Sequence, residues 1–374
     1  MKSRKRGVAV VLSLAVIALG VAVVMGRSHE PGPEDAPSSP GSAAGTAGAP
    51  GGTQARVKPG AGTGAPGKGE TPATANTRAP GVIAELGWGS GPNQLGRDRP
   101  KEANPEGPMS LAVTPLGDIV VLDQLNGRLV RMSPDGKVLG STALTQQTPQ
   151  DVTVAKDGSL LVLDRLRDKS VAILDPYTGA IKGELPLQGD NLPETGLITG
   201  TFVDGDSVYV EREHGALVRI GDTSGQADPT RPQIPGRPSR DGLSYLLSHI
   251  IEARAGRLSI NSIDRKSGTQ RYAREYRLQF PIMNIALLDT DRSGVVYLGV
   301  VGEMPTGNAS PASAEGVRLL CLDPLDGKVL GQADLPPNTM PEESFRDFSV
   351  LDEGGVIYQH RTEAGVTLRR ANCQ

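Results

Sequence analysis

The chain has 374 residues, a formal net charge of −3, 48 Gly, 30 Pro and only 3% aromatic residues. Nine Lys and Arg and four Asp and Glu precede residue 82, so the remainder sets 30 basic against 38 acidic residues. An acidic body of this kind lacks the basic footprint of a general nucleic-acid binder, and a core poor in aromatics must be built from Val, Leu and Ile, which suits strands.

Residues 1–6 form a basic flank carrying Lys2, Arg4, Lys5 and Arg6. Residues 7–26, GVAVVLSLAVIALGVAVVMG, hold no charge and have no polar face. As a helix the run is roughly 30 Å long, which matches a bilayer core. It predicts a single-pass anchor in the inner (cytoplasmic) membrane, with the positive flank inside and the rest periplasmic or extracellular. The other reading is a cleaved signal peptide, with Val24 and Gly26 as the small-residue site and a secreted product. Residues 27–81 read as a disordered linker. Thirty-one of the fifty residues in 31–80 are Pro, Gly or Ala, too little apolar surface to offset the entropy of ordering.

From Val82 onward the pattern is strands and turns. Residues 117–137 read GDIVVLDQLNGRLVRMSPDGK, and residues 158–179 read GSLLVLDRLRDKSVAILDPYTG. In each, a Gly turn opens an apolar strand that stops at Asp123 or Asp164; a polar loop, a second strand and a Pro/Asp/Gly turn follow. The copies start 41 residues apart, the period of a four-stranded propeller blade. Gly205, Gly256, Gly294 and Gly355 extend the series, each preceded by a short apolar strand: TFV, IIEA at 250–253, IALL and FSV. Too few residues follow Gly355 for a complete blade, and VIAELG at 82–87 supplies the missing fourth strand. The expectation is an all-β, six-bladed β-propeller over residues 82–374, closed by pairing its two ends.

The stretch 87–137 is similar to an NHL-type repeat, through Pro108, the strand Leu111-Ala112-Val113, Gly117, Asp123, Asn126 and Arg128. The second copy keeps Gly158 and Asp164 but not the Asn and Arg. The resemblance implies an NHL-like propeller that binds a partner, as a scaffold or an extracellular sensor head.

In such propellers the second-to-third-strand loops share a face with the blade-to-blade connections. That face is expected to display Asp123, Asn126, Asp164, Arg165, His214, His360 and Arg361 as a polar ligand-binding rim. Polar loops are also the default of any solvated surface, and Asp123 and Asp164 suit capping of nearby backbone N–H groups. Arg257, Arg271, Arg274 and Arg277 make a basic patch in blade four. It reads either as a solvated side facing an anionic polymer or as a charged edge that resists strand addition.

Chemistry is harder to find. The four His residues have no metal-ligand spacing, and neither a nucleophile elbow nor a phosphate loop is present. No catalytic residue, resident metal or cofactor is assigned. Asn284 and Asp289 are the pair to consider as cation ligands under the alternative of a metal-dependent lactonase- or lyase-like six-bladed enzyme. Cys321 and Cys373, the only cysteines, could form one disulfide outside the cytoplasm. The leading reading is a membrane-anchored extracytoplasmic scaffold, held through residues 7–26, whose partner is an envelope protein or polysaccharide and not nucleic acid.

Overall fold

A computed structural model describes residues 81–305, 313–336, 338 and 342–373. The expected flank, anchor and linker up to residue 80, and residues 306–312, lie outside the described residues. No helix among the described residues is long and apolar enough to cross a membrane.

The apolar runs become strands covered on both faces. Ile119–Asp123 and Leu160–Asp164 are buried at every position, as strands sandwiched between sheets must be. In chain order, β1 (Val82–Trp88) and the short β2 (Gln94–Leu95) come first. Blade one is β3 (Ser110–Val113), β4 (Ile119–Asp123), β5 (Arg128–Met132) and β6 (Val138–Ala143). Blade two is β7 (Asp151–Val154), β8 (Leu160–Asp164), β9 (Ser170–Leu174) and β10 (Ile181–Pro186). Blade three is β11 (Ile198–Asp204), β12 (Ser207–Arg212), β13 (Leu217–Asp222) and β14 (Gln233–Ile234). Blade four is β15 (Arg237–Pro238), β16 (Ser244–Glu252), β17 (Arg257–Asp264) and β18 (Gln270–Arg277). Blade five is β19 (Ile282–Thr290), β20 (Val296–Pro305), β21 (Ser313–Leu322) and β22 (Val329–Leu335). Blade six is β23 (Phe348–Val350), β24 (Val356–Thr362) and β25 (Gly365–Ala371), and its outer strand is β1.

The structure is therefore an all-β six-bladed propeller, and its last sheet combines both ends of the described chain. β1 runs antiparallel to β25, with Leu86 opposite Val366 and Ala84 opposite Leu368. Gly365 carries φ +148°, and a Cβ there would stand 2.1 Å from the Leu86 carbonyl oxygen, so only glycine lets this hairpin reach β1. Cys321 on β21 and Cys373 after β25 are joined by a disulfide, Cα atoms 6.0 Å apart, which ties blade five to the end of blade six.

The core is divided among the seams between blades. Separate apolar clusters fill the seams six–one, one–two, two–three, four–five and five–six. Polar groups bridge seam three–four: Arg265 pairs with Asp204 and Arg237 with Glu211. The guanidinium of Arg265 also lies 5.0 Å from the Tyr245 ring centroid.

Blade four departs from expectation. Residues 250–253 were expected to form an inner strand, but Ile250–Glu252 end β16, the second strand, and Gly256 sits in the turn before β17. The true inner strand is Arg237–Pro238, and Gly242 occupies the first turn at φ +75°. A two-residue strand of Arg and Pro carries no apolar signal, so the frame slipped by one strand.

Candidate functional site

One face of the ring carries the second-to-third-strand loops and the connections between blades. Most of the expected rim residues there serve the scaffold. Asp123 is fully buried. Its carboxylate accepts from Gly96 N at 2.8 Å, Asn126 Nδ2 at 2.8 Å and Arg128 Nε at 2.8 Å. Arg128 also donates to the carbonyls of Ser90, Gly91 and Gln94, locking blade one to the segment after β1. Asp164, also buried, accepts from the backbone N–H groups of Thr148, Leu166 and Arg167 and from the Thr148 hydroxyl. Burial alone would raise its pKa, but these donors hold it below the usual carboxylate range.

Arg165 donates to the carbonyls of Gly196 and Ile198 in the next connection and stacks 5.0 Å from the Phe345 ring centroid. His360 and Arg361 lie within β24, not in a loop. Arg361 is buried against Asp347 and so does not reach the rim. Of the expected set, His214 is well exposed, in the blade-three loop.

The basic patch is divided as well. Arg257 pairs with Glu252 and Glu275, and Arg271 with Asp264. Along β18 the alternation places Arg274 with buried Tyr272 and Tyr276, while Arg271 and Arg277 take the other face. The four arginines therefore do not form one solvated side.

Sequence reasoning missed the charged layer across the central channel. Asp151, at the start of β7 and wholly buried, accepts from Ser110 Oγ (2.7 Å), Thr201 N (2.9 Å) and both Nε and Nη2 of Arg346 (3.0 and 2.8 Å). Arg346 also donates to the Thr201 carbonyl. One carboxylate thus joins blades one, two and three to the connection entering blade six. Phe202 sits between two guanidinium groups, Arg237 at 5.0 Å and Arg346 at 5.2 Å from its centroid. Arg240 pairs with Asp289 and Asp352 nearer the opposite face. Asp289, considered as a cation ligand, is thereby neutralised by Arg240, while Asn284 is exposed toward the other end of β19. Among the described residues no three His, Cys, Asp or Glu side chains converge as metal ligands.

Glu211 shows how firmly this layer is charged. Burial would raise its carboxyl pKa, but Arg237, His214 and Thr199 hold it well below the ordinary carboxylate range. A folded pKa below the unfolded one gives stabilisation that is complete above the unfolded value, about 4.3, and is lost as pH falls further. Glu211→Gln is therefore expected to cost about 3 kcal/mol at neutral pH and to flatten the acid limb of stability. Urea midpoints across about pH 6 to about pH 3 check this; parallel curves for variant and wild type would show that the pair contributes nothing.

An open concavity on the rim lies at seam two–three. A cavity of about 550 Å³ is lined by Lys169, Gln188, Gly189, Leu192, Glu194 and Thr195, among others. Among the described residues, the non-glycine residues with positive φ are Lys169, Asn191, Glu213, His214 and Arg231, and all belong to this corner. They are tied together. Asn191 Nδ2 donates to the Arg231 carbonyl (3.0 Å), Arg212 Nη1 to the Asn191 carbonyl (3.1 Å) and His214 N to Thr199 Oγ1 (3.0 Å). Backbone held in the left-handed region costs about 1 kcal/mol or more per residue and persists where the surroundings impose it, commonly at ligand sites.

No family model and no curated protein matches the sequence. Among solved structures, the chain is similar to hydrazine synthase of Kuenenia stuttgartiensis (15% identity, 74% of this chain and 90% of that one, TM-score 0.46). Virginiamycin B lyase from Staphylococcus aureus matches at 12% identity over 71% and 94%, TM-score 0.39. BamB from Moraxella catarrhalis matches at 13% over 71% and 86%, TM-score 0.35. At these identities and scores no activity transfers to this chain.

Proposed function

We propose that the chain is an extracytoplasmic binding scaffold. Its propeller presents the face bearing the blade connections to an envelope protein or polymer, with the cavity at seam two–three as the point of contact. The observation that carries this reading is the gathering of the strained non-glycine residues around that cavity, while the channel's carboxylates and guanidinium groups hold one another. The disulfide supports an oxidising compartment, and residues 7–26 are assigned as the membrane anchor that would place the propeller there. The NHL-like character of the blades belongs to the same proposal, supported by the Asp123–Asn126–Arg128 cluster of blade one.

Site-specific photo-crosslinking in cells tests the reading. A photoreactive residue at Glu194, on the cavity wall, is expected to give discrete adducts of raised mass. One at Leu116, 71% exposed in the first turn of blade one on the opposite face, is expected to give none. Adducts at residue 116 equal to or stronger than those at residue 194 would overturn it.

A further inference from the structure

We propose that Arg231 is the receptor for an anionic group, a carboxylate or phosphate, on the ligand of the seam two–three cavity; the proposal rests on the binding reading above. Arg231 is only 4% exposed. Its Nη2 donates to the carbonyls of Pro186 and Gln188, each at 2.7 Å. Nη1 is buried with no hydrogen-bond partner. A guanidinium stays protonated, so this is a buried positive charge, and among the described residues it makes no ion pair. Carbonyl dipoles offset part of the cost of removing it from water; a counter-charge offsets far more.

The neighbouring carboxylates do not fill that role. Asp228 is taken by Arg219 Nη1 (2.6 Å) and by Thr230. Asp190 is exposed in the turn above. Burial lowers the Arg231 pKa, and Asp228 and Asp190 only partly counter this.

The cavity stands directly against this group. Gln188 and Gly189 are both cavity wall and cover of the guanidinium. Gly189 has φ +150°, and a Cβ there would fall 2.4 Å from Arg231 Nε. Any larger residue would collide with the arginine, so the wall is as thin as a peptide chain can make it. Lys169, on the same wall, supplies a second cation. The turn is anchored at Asn191, whose Nδ2 donates to the Arg231 carbonyl.

The test uses the full-length chain and two probes: inorganic phosphate and a galacturonate trimer. Thermal unfolding is followed against chloride at matched ionic strength. The expected result is a rise in Tm with one or both probes, which identifies the preferred anion. Arg231→Gln is expected to weaken that binding at least about tenfold, the loss of a charge-assisted hydrogen bond. Asp190→Asn, which removes the nearest free carboxylate, is expected to tighten it. Should Arg231→Gln fail to fold, Lys169→Asn keeps a residue that tolerates the left-handed backbone and is expected to weaken binding severalfold without lowering the anion-free Tm. No anion-specific stabilisation of the wild type, or equal stabilisation of Arg231→Gln, would overturn the proposal. Crosslinks at residue 194 that persist in that event would leave the scaffold reading standing and reject only the anion.

Discussion

Asp151→Ala is expected to lower stability by about 3–5 kcal/mol, the cost of stranding one partner of a buried ion pair. The substitution leaves the Arg346 guanidinium, the Ser110 hydroxyl and the Thr201 N–H without their common acceptor. For a domain of this size each kcal/mol moves Tm by about 2–4 °C, so the midpoint should fall by roughly 6–20 °C. The effect should be strongly non-additive. Asp151→Ala combined with Arg346→Met removes the stranded charge and is expected to recover part of the loss. Circular dichroism melts of the single and double variants check both statements. A single-variant loss below about 1 kcal/mol would mean that the pair behaves as a surface salt bridge and does not hold the ring together.

Deletion of residues 82–88 is the second large effect. It removes the outer strand of blade six, buried Ala84 and Leu86 with it, and opens the edge of β25 to solvent. One buried Leu alone is worth about 2–5 kcal/mol, and an exposed flat edge invites pairing with other chains. The deleted chain is therefore expected to lose cooperative unfolding and to aggregate. Reduction of Cys321–Cys373, whose residues are 52 apart in sequence, should cost less, about 4 kcal/mol on the chain-entropy argument. Urea unfolding with and without reductant compares the two. An unchanged midpoint on deletion would show that β1 does not close the ring.

Those two sites differ in how far the sequence announces them. The blade pattern is legible wherever a Gly turn, a continuous apolar strand and a terminal Asp occur together, as at Gly117–Asp123 and Gly158–Asp164. It fails at blade four because Arg237–Pro238 offers no apolar run, and the long alternating β16 draws the frame toward itself. The channel is illegible for a different reason. Asp151 and Arg346 stand 195 residues apart, and nothing local to QDVTV or SFRDF says that they meet. Rim positions are polar and follow strand ends, and such positions are equally the caps that hold a loop: Asp123 and Asp164 act as the caps their sequence positions also allow, and Arg165 clamps the next connection. Arg231 is not legible in the sequence, because its burial and backbone angle are not encoded in a side chain between Thr230 and Pro232.

The pairing of β1 with β25 also fixes an order of events. Leu86 leaves the ribosome before the other blades exist, yet its partner Val366 follows only after blades one to five. Through synthesis and any passage across a membrane, the first strand must wait as an unpaired apolar ribbon. The final sheet forms only when a loop of nearly the whole domain is closed, the kind of contact that makes folding slow. The last step in closing the propeller is then the meeting of β1 and β25, and a chain cut short before β25 keeps an unpaired apolar strand, the kind of surface that favours aggregation.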